Sequence, residues 1–269
     1  MKTLAFRGAQ VAYEVEGKGI PVVLLHGFCE DRRVWEDFKQ DLLEENYRVI
    51  TIDLPGFGQS EVVRPVSIQY YAEAVLAVLD EKKYNQVILI GHSMGGYTAL
   101  TLAELAPERL IGLGLFHSHP YPDTPDKQAA RHKQVDFVQR QGHQLYVKQL
   151  VPKLFPANYA LSHPFDLDKL IHRAARYEAA GIMAGLEAMA NRPDRTEVLR
   201  NISVPVLFIV CEEATAVPAE ASSSQLAMPA IAQVHVLEKV GHMGMIEARR
   251  KTQLMVRQFV QFCLQTQNT

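Results

Sequence analysis

Apolar residues in this chain come in short, nearly continuous runs rather than in alternation. The main runs are Pro21–His26 (PVVLLH), Arg48–Asp53 (RVITID), Gln86–Gly91 (QVILIG), Ile111–His117 (IGLGLFH), Val204–Val210 (VPVLFIV) and Gln233–Leu237 (QVHVL). A strand covered on both faces has no polar side to present, so such runs predict a parallel sheet buried between layers. Lys2–Phe6 and Val11–Glu16 predict a hairpin at the sheet edge. Helical spacing fills the gaps. Arg33–Glu45 puts Trp35, Phe38, Leu42 and Leu43 near one face, and Ile68–Glu81 repeats apolar residues at three and four. Met94–Leu105 is apolar almost all round, as suits a helix packed deep against a sheet, and Met245–Cys263 is a last amphipathic helix. Alternating strand and helix predicts a doubly wound α/β sheet.

The alternation stops between 119 and 201. Thr124–Gln141, Gln144–Leu154 and Asp166–Ala190 are all helical in pattern, with breaks at Pro156, Pro164 and Pro193. A strand-free stretch between two strands predicts a helical cap over the sheet. The expected organisation is a core from 1–118 and 202–269 carrying a cap from 119–201.

Bulk properties narrow the function classes. At about 150 residues per domain, 269 residues mean one or two domains. Lys plus Arg is 28 and Asp plus Glu is 30, a formal charge of -2. That balance gives no support to a nucleic-acid partner or an anionic membrane surface. No run approaches the roughly 20 apolar residues of a membrane span, and the N-terminus lacks a signal-peptide core. Cys29, Cys211 and Cys263 are few, odd in number and far apart, so a reducing cytoplasm is the simpler expectation. No Cys-x-x-Cys or His-Glu-x-x-His spacing supports a zinc site.

Three glycine turns carry the candidate chemistry. Gly91-His92-Ser93-Met94-Gly95-Gly96 follows the strand run QVILI and opens the helix MGGYTALTLAEL. A serine on a tight strand-to-helix turn has its hydroxyl exposed above the sheet edge, and glycines on either side let backbone pass close. The helix N-terminus directs free N–H groups at developing negative charge. The second turn is His26-Gly27-Phe28, after VVLL. Here His26 reads as a buried histidine bracing the loop. The third is Val240-Gly241-His242, after the last predicted strand; none of the other nine histidines stands in such a position. His117 and His119 are two apart, but no third metal partner is evident. They are expected to line the mouth of the site or to bond locally around Pro120. Trp35 and Phe38 are expected in the helix core.

Together LLHGF (24–28), IDLPGFGQS (52–60), IGHSMGG (90–96), VPVLFIV (204–210) and VGH (240–242) resemble the α/β-hydrolase superfamily, over residues 20–118 and 203–262. The resemblance is to its small, lid-bearing esterase and haloperoxidase-like branch. It implies an α/β-hydrolase fold, a mostly parallel eight-stranded doubly wound sheet with a helical cap inserted between strands 6 and 7. It implies Ser93 as nucleophile, His242 as general base, and the Phe28 and Met94 amides as the oxyanion hole. No cofactor or metal is implied, and the partner is a small-molecule substrate. Serine at the elbow separates this chain from the dehalogenases and epoxide hydrolases of the superfamily, which use aspartate. Carboxylesters, thioesters, lactones, perhydrolysis and carbon–carbon cleavage of diketones remain. The cap shows no charged clamp in its pattern, which favours a small to medium apolar ester.

One position departs from the family pattern. The acid that orients the histidine usually follows the seventh strand, and Ala214 stands there. Alanine cannot accept the Nδ1 proton of His242 or stabilise its imidazolium. Three readings stand: Ala214 disables the enzyme, Glu212 or Glu213 reaches the histidine by a shifted loop, or Asp123 after the sixth strand supplies the acid. The rival function is a ligand receptor on the same fold with weak or no turnover.

Overall fold

The structure is a computed structural model that describes residues 1–211 and 219–267, without the side chains of 219–222. Eight strands form one sheet: β1 (Lys2–Phe6), β2 (Ala9–Gly17), β3 (Pro21–Leu25), β4 (Arg48–Ile52), β5 (Val87–His92), β6 (Leu110–Phe116), β7 (Val206–Cys211) and β8 (Ala232–Leu237). Their order is β1-β2-β4-β3-β5-β6-β7-β8. β2 runs antiparallel to β1 and β4, and every other pairing is parallel. This is the α/β-hydrolase fold.

The burial matches the apolar runs. Every residue of β5 and β6 is buried, as are four of the five in β3 and in β4. Register then lines up the carboxyl ends of the central strands. Leu25 pairs with Gly91, His92 with Phe116, and Phe116 with Ile209. The loops after β3, β5 and β6 therefore leave the sheet on one edge. The chain turns from β3 towards β4 on one side and later towards β5 on the other, so this edge is a topological switch point, where open α/β sheets bind ligands.

Helix Met94–Leu105 is buried along all but its last turn. Helix Ile68–Glu81 starts at Ser67, whose hydroxyl accepts the Tyr70 N–H. Trp35 and Phe38 are core residues as expected, in edge contact with each other and with Phe116. The expected helix Gln144–Leu154 passes from helix His143–Leu150 into a 3-10 turn, Val151–Leu154, and three further helices expected as continuous are broken, each for a physical reason. Arg33–Glu45 divides into a short 3-10 turn, Arg32–Trp35, and helix Gln40–Glu44. Arg32 is pinned to Asp53 at one end, and the buried Lys39 ammonium is drawn to Glu14, Glu16 and Glu36 at the other. Asp166–Ala190 divides into Pro164–Ala174 and Ala179–Ala190. At the break Tyr177 turns inward and donates its hydroxyl to Asp31 (2.7 Å). The C-terminal helix divides at Ala248 into Gly244–Glu247 and Arg249–Thr266, and Glu247 folds back onto the preceding loop.

Between β6 and β7 the described elements are all helical. Helices Pro125–Gln141 and Ala179–Ala190 pack on one another there, and Gly181 meets the backbone of Gly56. Among the described residues no helix is long and apolar enough to cross a membrane.

A close backbone approach lies under the β5 turn. A Cβ on Gly95 would sit 2.6 Å from the Leu25 carbonyl oxygen and 2.7 Å from that of His26. Both obstacles are main chain and cannot swing away. Gly95→Ala is expected to cost about 1–3 kcal/mol, as overpacking does, seen as a fall of several degrees in Tm by thermal denaturation. An unchanged Tm would contradict this packing.

Candidate active site

Ser93 joins β5 to helix Met94–Leu105 at φ 51°, ψ -113°. A non-glycine residue at positive φ is uncommon and persists where surroundings over-determine it. Here the Ser93 N–H donates to the Phe116 carbonyl (2.9 Å), and the Ser93 carbonyl accepts from Ser118 Oγ (2.8 Å) and the Gly96 N–H (2.9 Å). Any Cβ on Gly91 would collide with the Gly95 carbonyl. The turn is thus clamped by β6 and by its own two glycines.

Ser93 and His242 line the same cavity, of about 280 Å³, together with Phe28, Glu30, Tyr97 and His119. A larger hollow of about 560 Å³, lined by Arg33, Arg173 and Arg249 among others, includes neither residue. No hydrogen bond joins Ser93 Oγ to His242 in this arrangement. The Phe28 and Met94 amides, each beside Ser93's cavity or at the helix start, are not claimed by another acceptor among the described residues.

The loop bearing His242 is held from four directions, all through backbone. The His242 N–H donates to the Leu154 carbonyl (2.9 Å). Its carbonyl accepts from His92 Nε2 (2.9 Å) and from His117 Nδ1 (2.8 Å). On either side, the Gly241 and Met243 N–H groups donate to the Glu247 carboxylate (2.8 and 2.9 Å). The ring is less well served. Nδ1 of His242 is buried with no hydrogen-bond partner among the described residues. Burial, with His92 adding to it and Glu30 opposing, holds the imidazole down to about 3. It is neutral at pH 7 and therefore able to accept a proton, but weakly basic.

Of the candidate acids, Ala214, Glu212 and Glu213 lie outside the described residues. Asp123 is elsewhere engaged: Arg131 Nε donates to it, and Arg192 Nη1 stands 2.8 Å from its other oxygen. Those two arginines outweigh burial and keep its carboxyl below its ordinary value.

Two functional neighbours escaped the sequence reading. Glu30, buried in the loop after β3, accepts the Gly27 N–H (2.9 Å) and faces His92 Nδ1 (3.1 Å). Because His92 Nε2 donates to the His242 carbonyl, Nδ1 is the ring nitrogen left to face the Glu30 carboxylate. Burial pushes the Glu30 carboxyl up, but His92 and the Gly27 N–H more than offset this, leaving it below the usual value. The second is Glu247, whose bracket around His242 follows from the break at Ala248. Glu30 stands three residues after Gly27 in a loop of no regular period, so no pattern marked it.

The remaining histidines have local roles. His26 accepts the Leu54 N–H at Nε2 (2.9 Å), so Nδ1 carries the proton facing the Gly27 carbonyl (2.7 Å), and the residue braces its loop as expected. His119 accepts the Tyr121 N–H across Pro120 (3.2 Å). His92, His117 and His242 bring ring nitrogens within 4.8 Å of one another. Two of those rings spend a nitrogen on the His242 carbonyl, which ties them to the loop. The cavity wall also includes Lys127 and Arg131. The cap helix thus brings two cationic side chains to the cavity, although its sequence pattern shows no charged clamp.

Comparison with known proteins agrees with this geometry. The model of the "Alpha/beta hydrolase family" matches residues 22–252. The chain belongs to the α/β-hydrolase family. It is 32% identical over 267 residues to the pimeloyl-[acyl-carrier protein] methyl ester esterase of Aeromonas salmonicida, covering 93% of this chain and 99% of that one. A thermophilic esterase from Thermogutta terrifontis, solved with malate bound, superposes with TM-score 0.90 at 29% identity, covering 97% of each chain. A 41% match to the dihydrolipoyllysine-residue acetyltransferase component of the acetoin cleaving system of Pseudomonas putida spans only 108 residues, 29% of that protein's length. The esterases among these relatives support ester hydrolysis in general.

Glu30→Ala would leave His92 Nδ1 and the Gly27 N–H buried without partners. A loss of about 1–3 kcal/mol per orphaned group is expected in chemical denaturation, and Glu30→Gln, which keeps a polar partner, should cost less. Equal costs for the two variants would contradict the pairing.

Proposed function

We propose that this hydrolase cleaves small to medium carboxylic esters, or thioesters or lactones, through an acyl-enzyme on Ser93. The carrying observation is Ser93 at its left-handed turn, opening into a cavity that it shares with His242. In the proposed reaction Ser93 Oγ attacks the carbonyl carbon while His242 takes its proton. The Phe28 and Met94 N–H groups hold the oxyanion. The intermediate collapses, and the leaving oxygen departs with the proton returned by His242. Water, deprotonated by the same imidazole, then adds to the acyl carbon and releases the acid and free Ser93. The helical segment 119–201 acts as a cap that bounds the acyl or alcohol pocket.

A second reading, the receptor, draws on the unpartnered Nδ1 of His242. Among the described residues no carboxylate meets Nδ1, and an imidazolium formed during attack without one is unsupported. Turnover separates the two readings, because a receptor binds without sustained hydrolysis.

A fluorophosphonate probe is expected to label Ser93 of the folded protein, read by peptide mass spectrometry. Labelling that persists in Ser93→Ala would overturn the assignment. The pH profile tests whether a carboxylate serves His242. A base held at about 3 gives no acid limb near the ordinary imidazole value, so kcat/KM should stay flat from pH 8 down to about pH 5. Ala214→Asp, by offering Nδ1 a carboxylate, should raise the limb towards that ordinary value and raise kcat by up to about 10⁴-fold. A wild-type limb near 6.5, unmoved in the variant, would mean that another carboxylate already serves the histidine.

A further inference from the structure

Helix Pro125–Gln141 places Lys127, Ala130, Arg131 and Gln134 on the wall of the Ser93 cavity. Their spacing of three and four residues puts them on one helix face. Val135 and Val138, four residues after Arg131 and Gln134, carry that face on into the core. What distinguishes this wall is the direction of its hydrogen bonds.

Arg131 gives only its Nε–H to Asp123. Asp123 is itself fixed by Arg192, which is buried and stacked 4.1 Å over the Tyr97 ring. Asp123 therefore anchors Arg131 from the side, and the two Nη groups find no acceptor among the described residues. Gln134 accepts the Tyr146 hydroxyl at Oε1 (3.1 Å), which leaves its Nε2 hydrogens unused. Tyr97 lies 3.1 Å from His119 Nε2. Because His119 accepts the Tyr121 N–H at Nδ1 and burial holds the ring neutral, with a value near about 3, its proton sits on Nε2. The Tyr97 oxygen is then the acceptor, and its own proton remains to be donated. Three cavity residues have thus spent other atoms on the protein and kept N–H or O–H groups in reserve.

We infer that Arg131, Gln134 and Tyr97 form a subsite for a carboxylate carried by the ester, so that the preferred substrates are anionic esters rather than neutral ones. A fork of guanidinium and amide donors matches the two oxygens of a carboxylate. Phe28, Leu150, Leu154 and Met189 line the same cavity and would cover the apolar part of the molecule. The inference rests on Ser93 as the site of reaction only for its consequence in turnover. Binding of the anion tests it alone.

The test is titration calorimetry on Ser93→Ala, which prevents turnover. Two anionic probes are used: monomethyl glutarate, with its carboxylate on the acyl side, and acetoxyacetate, with it on the alcohol side. Each is compared with its neutral methyl ester. At least one anion is expected to bind about tenfold or more tightly than its neutral partner, the scale of one charge-assisted hydrogen bond. Adding Arg131→Gln should bring that ratio to within about twofold. Tyr97→Phe, which removes only a hydroxyl and leaves the Asp123 pairs with Arg131 and Arg192 in place, should lower it several-fold. Equal affinities for both anion–ester pairs would overturn the subsite, as would a ratio that survives both substitutions. Fluorophosphonate labelling of the native protein is read in parallel. Labelled Ser93 without anion preference refutes the subsite and leaves the esterase reading standing. Anion preference without labelling refutes the esterase reading and leaves the subsite.

Discussion

A serine held at positive φ is the constraint around which this molecule is arranged. Ser93 adopts φ 51° because β6 takes its N–H through Phe116, Ser118 takes its carbonyl, and glycines stand where any side chain would collide. Such a conformation costs of order 1–3 kcal/mol, and only a rigid sheet with flanking helix can hold it. The cost fixes the hydroxyl at the carboxyl edge of the central strands, beside the first turn of a helix. Every neighbouring loop then arrives on the same edge because the strands β3, β5, β6 and β7 are parallel and in register.

His242, the proposed base, is held by a different principle. His242 is located by its backbone, through Leu154, His92, His117 and the two amides on Glu247, whereas its ring has no partner at Nδ1 among the described residues. Position and basicity are thereby separated. The loop can present the imidazole accurately while burial keeps it a weak base. The Glu30–His92 pair contributes on both counts: it fixes one donor to the His242 carbonyl, and Glu30 is the one group that opposes the depression of the ring.

Much of this was legible in the residue order. Continuous apolar runs announced the parallel sheet, and Gly91-His92-Ser93-Met94-Gly95 announced a turn that only small residues permit. What local pattern did not carry were interactions between distant segments. Glu30 and His92 are 62 residues apart, and nothing near Glu30 reveals a buried partner. Helix Asp166–Ala190 looked unbroken because its break depends on a bond from Tyr177 to Asp31. Arg131 and Gln134 fell inside the helical pattern Thr124–Gln141 with nothing to single them out. Only the packing of that helix beside the Ser93 cavity shows which of its polar residues line the wall. Ala214 was visible as a departure, and residues 212 and 213 lie outside the described residues with it.

The proposed chemistry requires a covalent acyl intermediate at Ser93. Rapid mixing with a p-nitrophenyl ester, followed by acid quench and peptide mass analysis, tests it most directly. The expected result is release of p-nitrophenol with the acyl mass on the peptide containing Ser93, approaching about one acyl group per protein where deacylation is slow. Hydrolysis with no acyl mass on Ser93, undiminished in Ser93→Ala, would contradict it.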